Sequence, residues 1–186
     1  MSNEKSKILL SIGSVTKQEA IDYIKQGFIV HAYDPRIDVF QDYLFVQKQY
    51  GNIYPYKLAV SDFNGEADLS YHHNGAATIS LPGKIHPRSY VVPVVSMASI
   101  LEQFKHVDFL LINCEGTEIP IVLNTDLSLF KKCSRIDVSF HHFVPYLKIT
   151  KEQIQQCLDK MGKSFHYTLV KPKHPFYSFI NKEETK

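Results

Sequence analysis

The sequence predicts a doubly wound α/β fold, a mostly parallel sheet that closes with an antiparallel hairpin at its C-terminal end. Three observations carry that expectation. Residues 109–112 are an unbroken apolar run, as suits a strand covered on both faces, and Asn113, Glu115, Gly116 and Glu118 gather polar groups at its end. Upstream and downstream of it, short β-rich runs alternate with segments of helical period. Last, two β-rich runs, 165–170 and 176–180, are separated by Lys171-Pro172-Lys173-His174-Pro175, which reads as a hairpin turn.

Taken in order, residues 7–12 form the first strand, and Gly13 and Ser14 follow it. Residues 16–26 have helical features, with Ala20, Ile21 and Ile24 on one face and Gly27 as the stop. Residues 28–33 are the second strand, ended by Asp34-Pro35, since proline cannot continue a ladder. A helix over 38–50 stops at Gly51, and 54–60 reads as a third strand whose end, Ser61-Asp62, presents a carboxylate at the same edge. Asn64-Gly65 marks a turn into an extended excursion over 66–72, followed by a loop over 73–83. Residues 90–95 are a further strand pairing with that excursion. Ser99 to Glu102 matches a capping box opening a short helix. After the central strand come one broken helix or two short ones over 118–130, with Pro120 in the first turn. A strand over 135–140 then ends in His141-His142. Thr150 to Gln153 is a second capping box, opening a helix stopped by Gly162.

The totals describe one globular domain over residues 1–186, with 1–6 and 182–186 as disordered tails. Hydrophobic residues make up 44% and charged residues 22%, ordinary values for a packed chain. A net charge of +2, from 21 basic and 19 acidic residues, gives no footprint for nucleic acid. The three cysteines are odd in number and unpaired by spacing, which fits reduced thiols in a cytoplasmic protein. No apolar run is long enough for a membrane span. The sequence sets no oligomeric state.

Ligands of open α/β sheets bind outside the carboxyl ends of the strands, so the residues at those ends are the candidates. Asp34 either accepts hydrogen bonds from ribose hydroxyls or caps a turn. Gly13 either lets a ligand approach the backbone or serves a turn alone. Asp62 is a candidate adenine contact. Glu115 either orients a reacting group or answers a helix dipole, and Asn113 either bonds a ligand or satisfies its own loop. His141 and His142 end a strand, so one of them faces the site; an imidazole there can accept a proton from a hydroxyl. Together with His72 and His73 they lack recognisable metal-ligand spacing, and no metal is assigned.

Several of these pieces, in this order, resemble the FkbM-type family of class I S-adenosylmethionine-dependent methyltransferases. The most specific is Val107 to Glu118 with Val122-Leu123, similar to the family's "iDflKiDvEGxExxvL". Ala32-Tyr33-Asp34-Pro35, Leu58 to Asp62 with Gly65, Asn74 to Thr78, and Val92 to Met97 support it. The resemblance covers roughly residues 8–142. It implies a Rossmann-like methyltransferase sheet, S-adenosylmethionine as cofactor held by Ser11, Gly13, Asp34, Ser61, Asp62 and Asn113, and O-methylation of a small-molecule or sugar hydroxyl, with His141, Glu115 and Asn113 at the transfer site.

The first glycine motif departs from the family's "DvGaNxG". The acid is Ser11, the asparagine is Val15, and the second glycine is Lys17, leaving only Gly13. A cation at 17 is expected to oppose a sulfonium ligand. The rival reading is therefore a methyltransferase-like fold that serves as an interaction or structural module. A nicotinamide-dependent oxidoreductase lacks its GxGxxG turn here.

Overall fold

Apolar runs closed by glycine or proline set the first β/α/β units. β1 (Lys7–Ile12) stops at Gly13, and α1 (Lys17–Lys25) opens on a capping box in which Thr16 Oγ1 accepts the Glu19 N–H and the Glu19 carboxylate accepts the Thr16 N–H. β2 (Phe28–Tyr33) ends before Asp34-Pro35, and α2 (Ile37–Tyr50) ends at Gly51. β3 (Ile53–Tyr56) completes this side of the molecule. The computed structural model describes residues 6–13, 15–71, 77–80, 89–172 and 175–185. Ser14, His72, His73, Asn74, the 173–174 part of the basic turn and residues 1–5 of the expected N-terminal tail lie outside the described residues.

The chain then leaves the main sheet. β4 (Ala59–Ser61), β5 (Gly65–Tyr71), β6 (Ala77–Ser80) and β7 (Ser89–Ser96) form a second sheet in the order β4-β7-β5-β6. The expected third strand over 54–60 is thus two strands in two sheets: β3 pairs with β2, while Ala59, Val60 and Ser61 pair with Val94, Val95 and Ser96. The break falls at Lys57 and Leu58, between the two ladders.

α3 (Met97–Glu102) follows β7 directly. Its N-cap is Ser96, whose Oγ accepts the Ser99 N–H at 3.1 Å, so the expected capping box beginning at Ser99 is not formed. The central strand β8 (Val107–Ile112) comes next, then α4 (Glu118–Asn124), α5 (Leu127–Phe130) and β9 (Cys133–Ser139). α6 (Lys151–Met161) carries the second capping box as expected, and β10 (Phe165–Lys171) and β11 (Phe176–Asn181) form the hairpin. Beyond β11, Lys182–Glu184 forms a 3-10 turn capped by Asn181, and the Ser134 hydroxyl donates to Glu184.

The seven-stranded sheet runs β10-β11-β9-β8-β1-β2-β3, parallel except where β11 meets its two neighbours. Alternate residues of each strand feed two cores. Leu9, Val30, Ala32 and Phe109 pack under α1 and α2, whereas Leu10, Ile12, Leu110, Ile112, Ile136 and Val138 pack under α3 to α6. Helices on both faces explain the unbroken apolar run of β8. Leu10 and Leu110, partners in the β1–β8 ladder, are both fully buried, each burial contributing about 2 kcal/mol.

That pair is also where the winding reverses, from β1-β2-β3 on one side to β8-β9 on the other. Beyond it, Gly13 takes a φ of 68°, and a Cβ built there meets the Asn113 carbonyl oxygen at 2.7 Å and Cys114 Cα at 2.8 Å. Gly13→Ala is expected to cost about 2 to 4 kcal/mol, from backbone strain and overpacking together, measured by urea denaturation. A loss below about 0.5 kcal/mol would contradict this close contact.

Candidate functional site

A cavity of about 80 Å³ opens at the carboxyl ends of β1, β2 and β8. Gly13, Asp34, Arg36, Asn113 and Glu115 contribute its polar wall, with Tyr33, Leu58 and Val60 beside them. The second sheet closes the opposite side with Leu69, Ala77 and Ile79. The excursion after β3 thus walls the site.

Asp34 is buried because the Asp-Pro turn folds the chain back over it. It accepts the backbone N–H of Arg36 at 2.9 Å, and the Arg36 guanidinium grips both carboxylate oxygens at 3.0 and 2.8 Å. Of the roughly four acceptor positions of a carboxylate, one remains, on Oδ2. An Asp-Pro-x turn was the available sequence signal for the backbone bond; the guanidinium clamp had none.

The loop from β8 to α4 is organised by Glu118, which is fully buried. Its two oxygens accept the N–H groups of Cys114 at 2.9 Å and Gly116 at 2.8 Å, and Oε1 lies 2.7 Å from His141 Nδ1. The other imidazole nitrogen, Nε2, lies 3.4 Å from Glu115 Oε1. Glu115 stands at a φ of 52°, an uncommon conformation for a non-glycine residue, held by the bonds on either side of it. Glu118, His141 and Glu115 therefore form a line from the interior to the cavity. Burial acts to lower the His141 pKa, and the hydrogen bond to Glu118 with the charges of Glu118 and Glu115 outweighs it, so the imidazole keeps its proton to higher pH than usual.

Four expected site residues come together at the cavity: Gly13, Asp34, Asn113 and Glu115. His141 sits behind Glu115 rather than in the cavity wall. His142 turns elsewhere, with its ring edge-on to Phe143. Ser11 is buried within β1, between Ala32 and Leu111, and its hydroxyl has no partner among the described residues. Ser61 and Asp62 are carried off with β4: Ser61 Oγ donates to Asp62 Oδ1, and the Asn124 amide donates to Asp62 Oδ2 at 2.6 Å. Neither lines the cavity. Lys17 also points away, since its ammonium sits 3.8 Å over the Phe45 ring and 3.5 Å from Asp42 on α2. The expected repulsion of a sulfonium from Lys17 therefore has no geometric basis. Cys114 is a neutral thiol, because burial, then the charge of Glu118, raises its pKa well above the ordinary range.

A second depression, of about 300 Å³, lies on the α1 side of β8 and β9. Glu19, Tyr23, Phe109, Asp137 and Phe176 line it, and Asn113 belongs to both cavities.

Residues 12–166 match the family model described as the methyltransferase FkbM domain. This chain belongs to the FkbM methyltransferase family. The FkbM methyltransferase from Methylobacillus flagellatus KT has the same fold, at 13% identity and a TM-score of 0.61 over 94% of this chain. The chain spans only 43% of that protein's length. A chain of a fibrillarin/Nop5p complex is 12% identical over 94% of this chain and 71% of its own, with a TM-score of 0.49. Precorrin 8W decarboxylase from Methanobacterium thermoautotrophicum is 13% identical over 95% and 81%, with a TM-score of 0.42. No curated protein sequence matches. Among the described residues no helix is long and apolar enough to cross a membrane.

Glu118 is the residue of this FkbM domain on which the loop depends. Glu118→Gln is expected to lower stability by about 3 kcal/mol, because it leaves a buried partner unpaired, and chemical denaturation measures it. His141 adds a pH dependence. Its pKa is higher folded than unfolded, so its stabilisation is complete below about pH 6.5 and is lost as pH rises through the folded value. The stability difference between wild type and His141→Gln should shrink across that rise; a gap constant from pH 5 to 9 would mean that folding leaves the His141 pKa unchanged.

Proposed function

We propose that this FkbM-family domain transfers a methyl group from S-adenosylmethionine to a hydroxyl oxygen of a small molecule or sugar. The observation that carries the reading is the meeting of Gly13, Asp34, Asn113 and Glu115 at one cavity on the switch point of the sheet. The residues fit such a cofactor. Gly13 lets the loops after β1 and β8 meet at the cavity wall, Asp34 keeps one acceptor position for a ribose hydroxyl, and Leu69 and Ile79 offer an apolar wall. When bound, the cofactor supplies an electrophilic methyl group on a positively charged sulfur.

Glu115 is the group placed to take the acceptor's proton. Its Oε1 faces His141 Nε2, and the protonated imidazole, anchored by Glu118, fixes that carboxylate while its other oxygen takes the proton. His141 thus positions the Glu115 side chain, and the bonds to Glu118 on either side hold its backbone. Asn113 stands between the two cavities, and the acceptor enters from the second one. There the carboxylate of Glu19 accepts from hydroxyls, while Tyr23, Phe109 and Phe176 cover apolar C–H surface. Rate enhancement comes mainly from holding the reacting oxygen in line. Three free cysteines, two of them buried, support a reducing, cytoplasmic setting.

Calorimetric titration with S-adenosylmethionine and S-adenosylhomocysteine tests this. Binding on the order of 1 µM, about 8 kcal/mol, is expected, with a loss of tenfold or more in Asp34→Ala. Glu115→Gln should keep that affinity while an acceptor screen shows methyl transfer reduced by roughly 10²-fold. No heat and no thermal shift at millimolar ligand would favour the non-catalytic module, a reading to which the missing acid at Ser11 already points.

A further inference from the structure

Sheet edges expose unpaired N–H and C=O groups, and folded proteins ordinarily shorten, kink or cover them. Among the described residues, three of the four edges follow that rule. β3 is four residues long and contains Pro55; β4 and β6 have three and four residues. β10 does not. It has seven residues and no proline, and every residue from 166 to 171 is exposed, with Tyr167 at 43% and Leu169 at 42%.

The edge has an ordered pattern. Phe165, Tyr167 and Leu169 share one face of the strand, and His166 and Thr168 share the other. Phe165 is buried in the core beneath α6, and the Tyr167 ring packs on Tyr177 and Phe179, so the apolar row continues the core outward. The ladder with β11 is regular from Phe165 to Leu169 and shifts register only beyond it.

We propose that β10 pairs antiparallel with β10 of a second copy of this chain, across a two-fold axis at Tyr167, joining two main sheets into one. In that register the two Tyr167 rings meet at the axis. Phe165 faces Leu169 of the partner subunit, and His166 faces Thr168 of the partner subunit. Apolar thus meets apolar on one face, and hydrogen-bonding groups meet on the other. No charged pair falls within the five residues. Lys163 and Lys171 flank them, repel their counterparts and keep the pairing from extending, so association should strengthen with salt. One strand pair makes a small interface, and a Kd on the order of 10 µM is expected.

Sedimentation of the full chain from 1 to 500 µM tests the proposal. A concentration-dependent rise from the monomer to the dimer mass, and no further, is expected; a monomer throughout, or open-ended assembly, overturns it. Tyr167→Lys and Tyr167→Glu should each be monomeric and folded by circular dichroism, because like charges meet at the axis. An equimolar mixture of the two should regain the dimer mass. Variants that still self-associate, or folded variants that stay apart when mixed, would overturn this pairing.

Discussion

The buried carboxylate of Glu118 holds the functional end of the molecule together. An ion in the interior persists only with its full set of partners, and here those are two backbone N–H groups of the β8–α4 loop and the His141 imidazole. Through them it ties a loop to the end of β9, and it fixes the one residue, Glu115, that combines an unusual φ with a place in the cavity wall. Remove the carboxylate and the strained conformation loses what opposes it. The catalytic proposal and the stability of the loop therefore rest on the same atoms.

A second constraint comes from the way the chain is divided between two sheets. The main sheet carries the polar strand ends, whereas the second sheet contributes almost only apolar side chains to the cavity. Polar recognition and apolar enclosure are thus supplied by separate layers. Asp34 shows a related economy, since one guanidinium and one amide occupy most of its capacity and leave about one acceptor position.

Local signals in the sequence located what local physics decides. The first two strands and the Thr150 capping box stand where apolar runs, glycine, proline and cap residues put them. What was illegible depends on distant partners. Residues 54–60 read as one strand because nothing in them announces that Ala59 to Ser61 pair with a segment more than 30 positions away. The cap expected at Ser99 falls instead to Ser96, where the ladder with Ser61 ends β7. Gly13, Asp34, Asn113 and Glu115 were found because strand ends converge by topology. Glu118 looked like a helix-starting acid, and only the fold brings His141 to it. Lys17 looked opposed to a cationic ligand, and only the packing of α1 on α2 turns it to Phe45.

The contact at Gly13 has a mechanical consequence. With no side chain between them, the loop after β1 and the loop after β8 are in van der Waals contact through their backbones, and the Asn113 N–H donates to the Ile12 carbonyl at 2.9 Å. Neither loop has room to fluctuate without the other. The two loops therefore move as one unit, so the strand ends that frame the two cavities keep a fixed spacing.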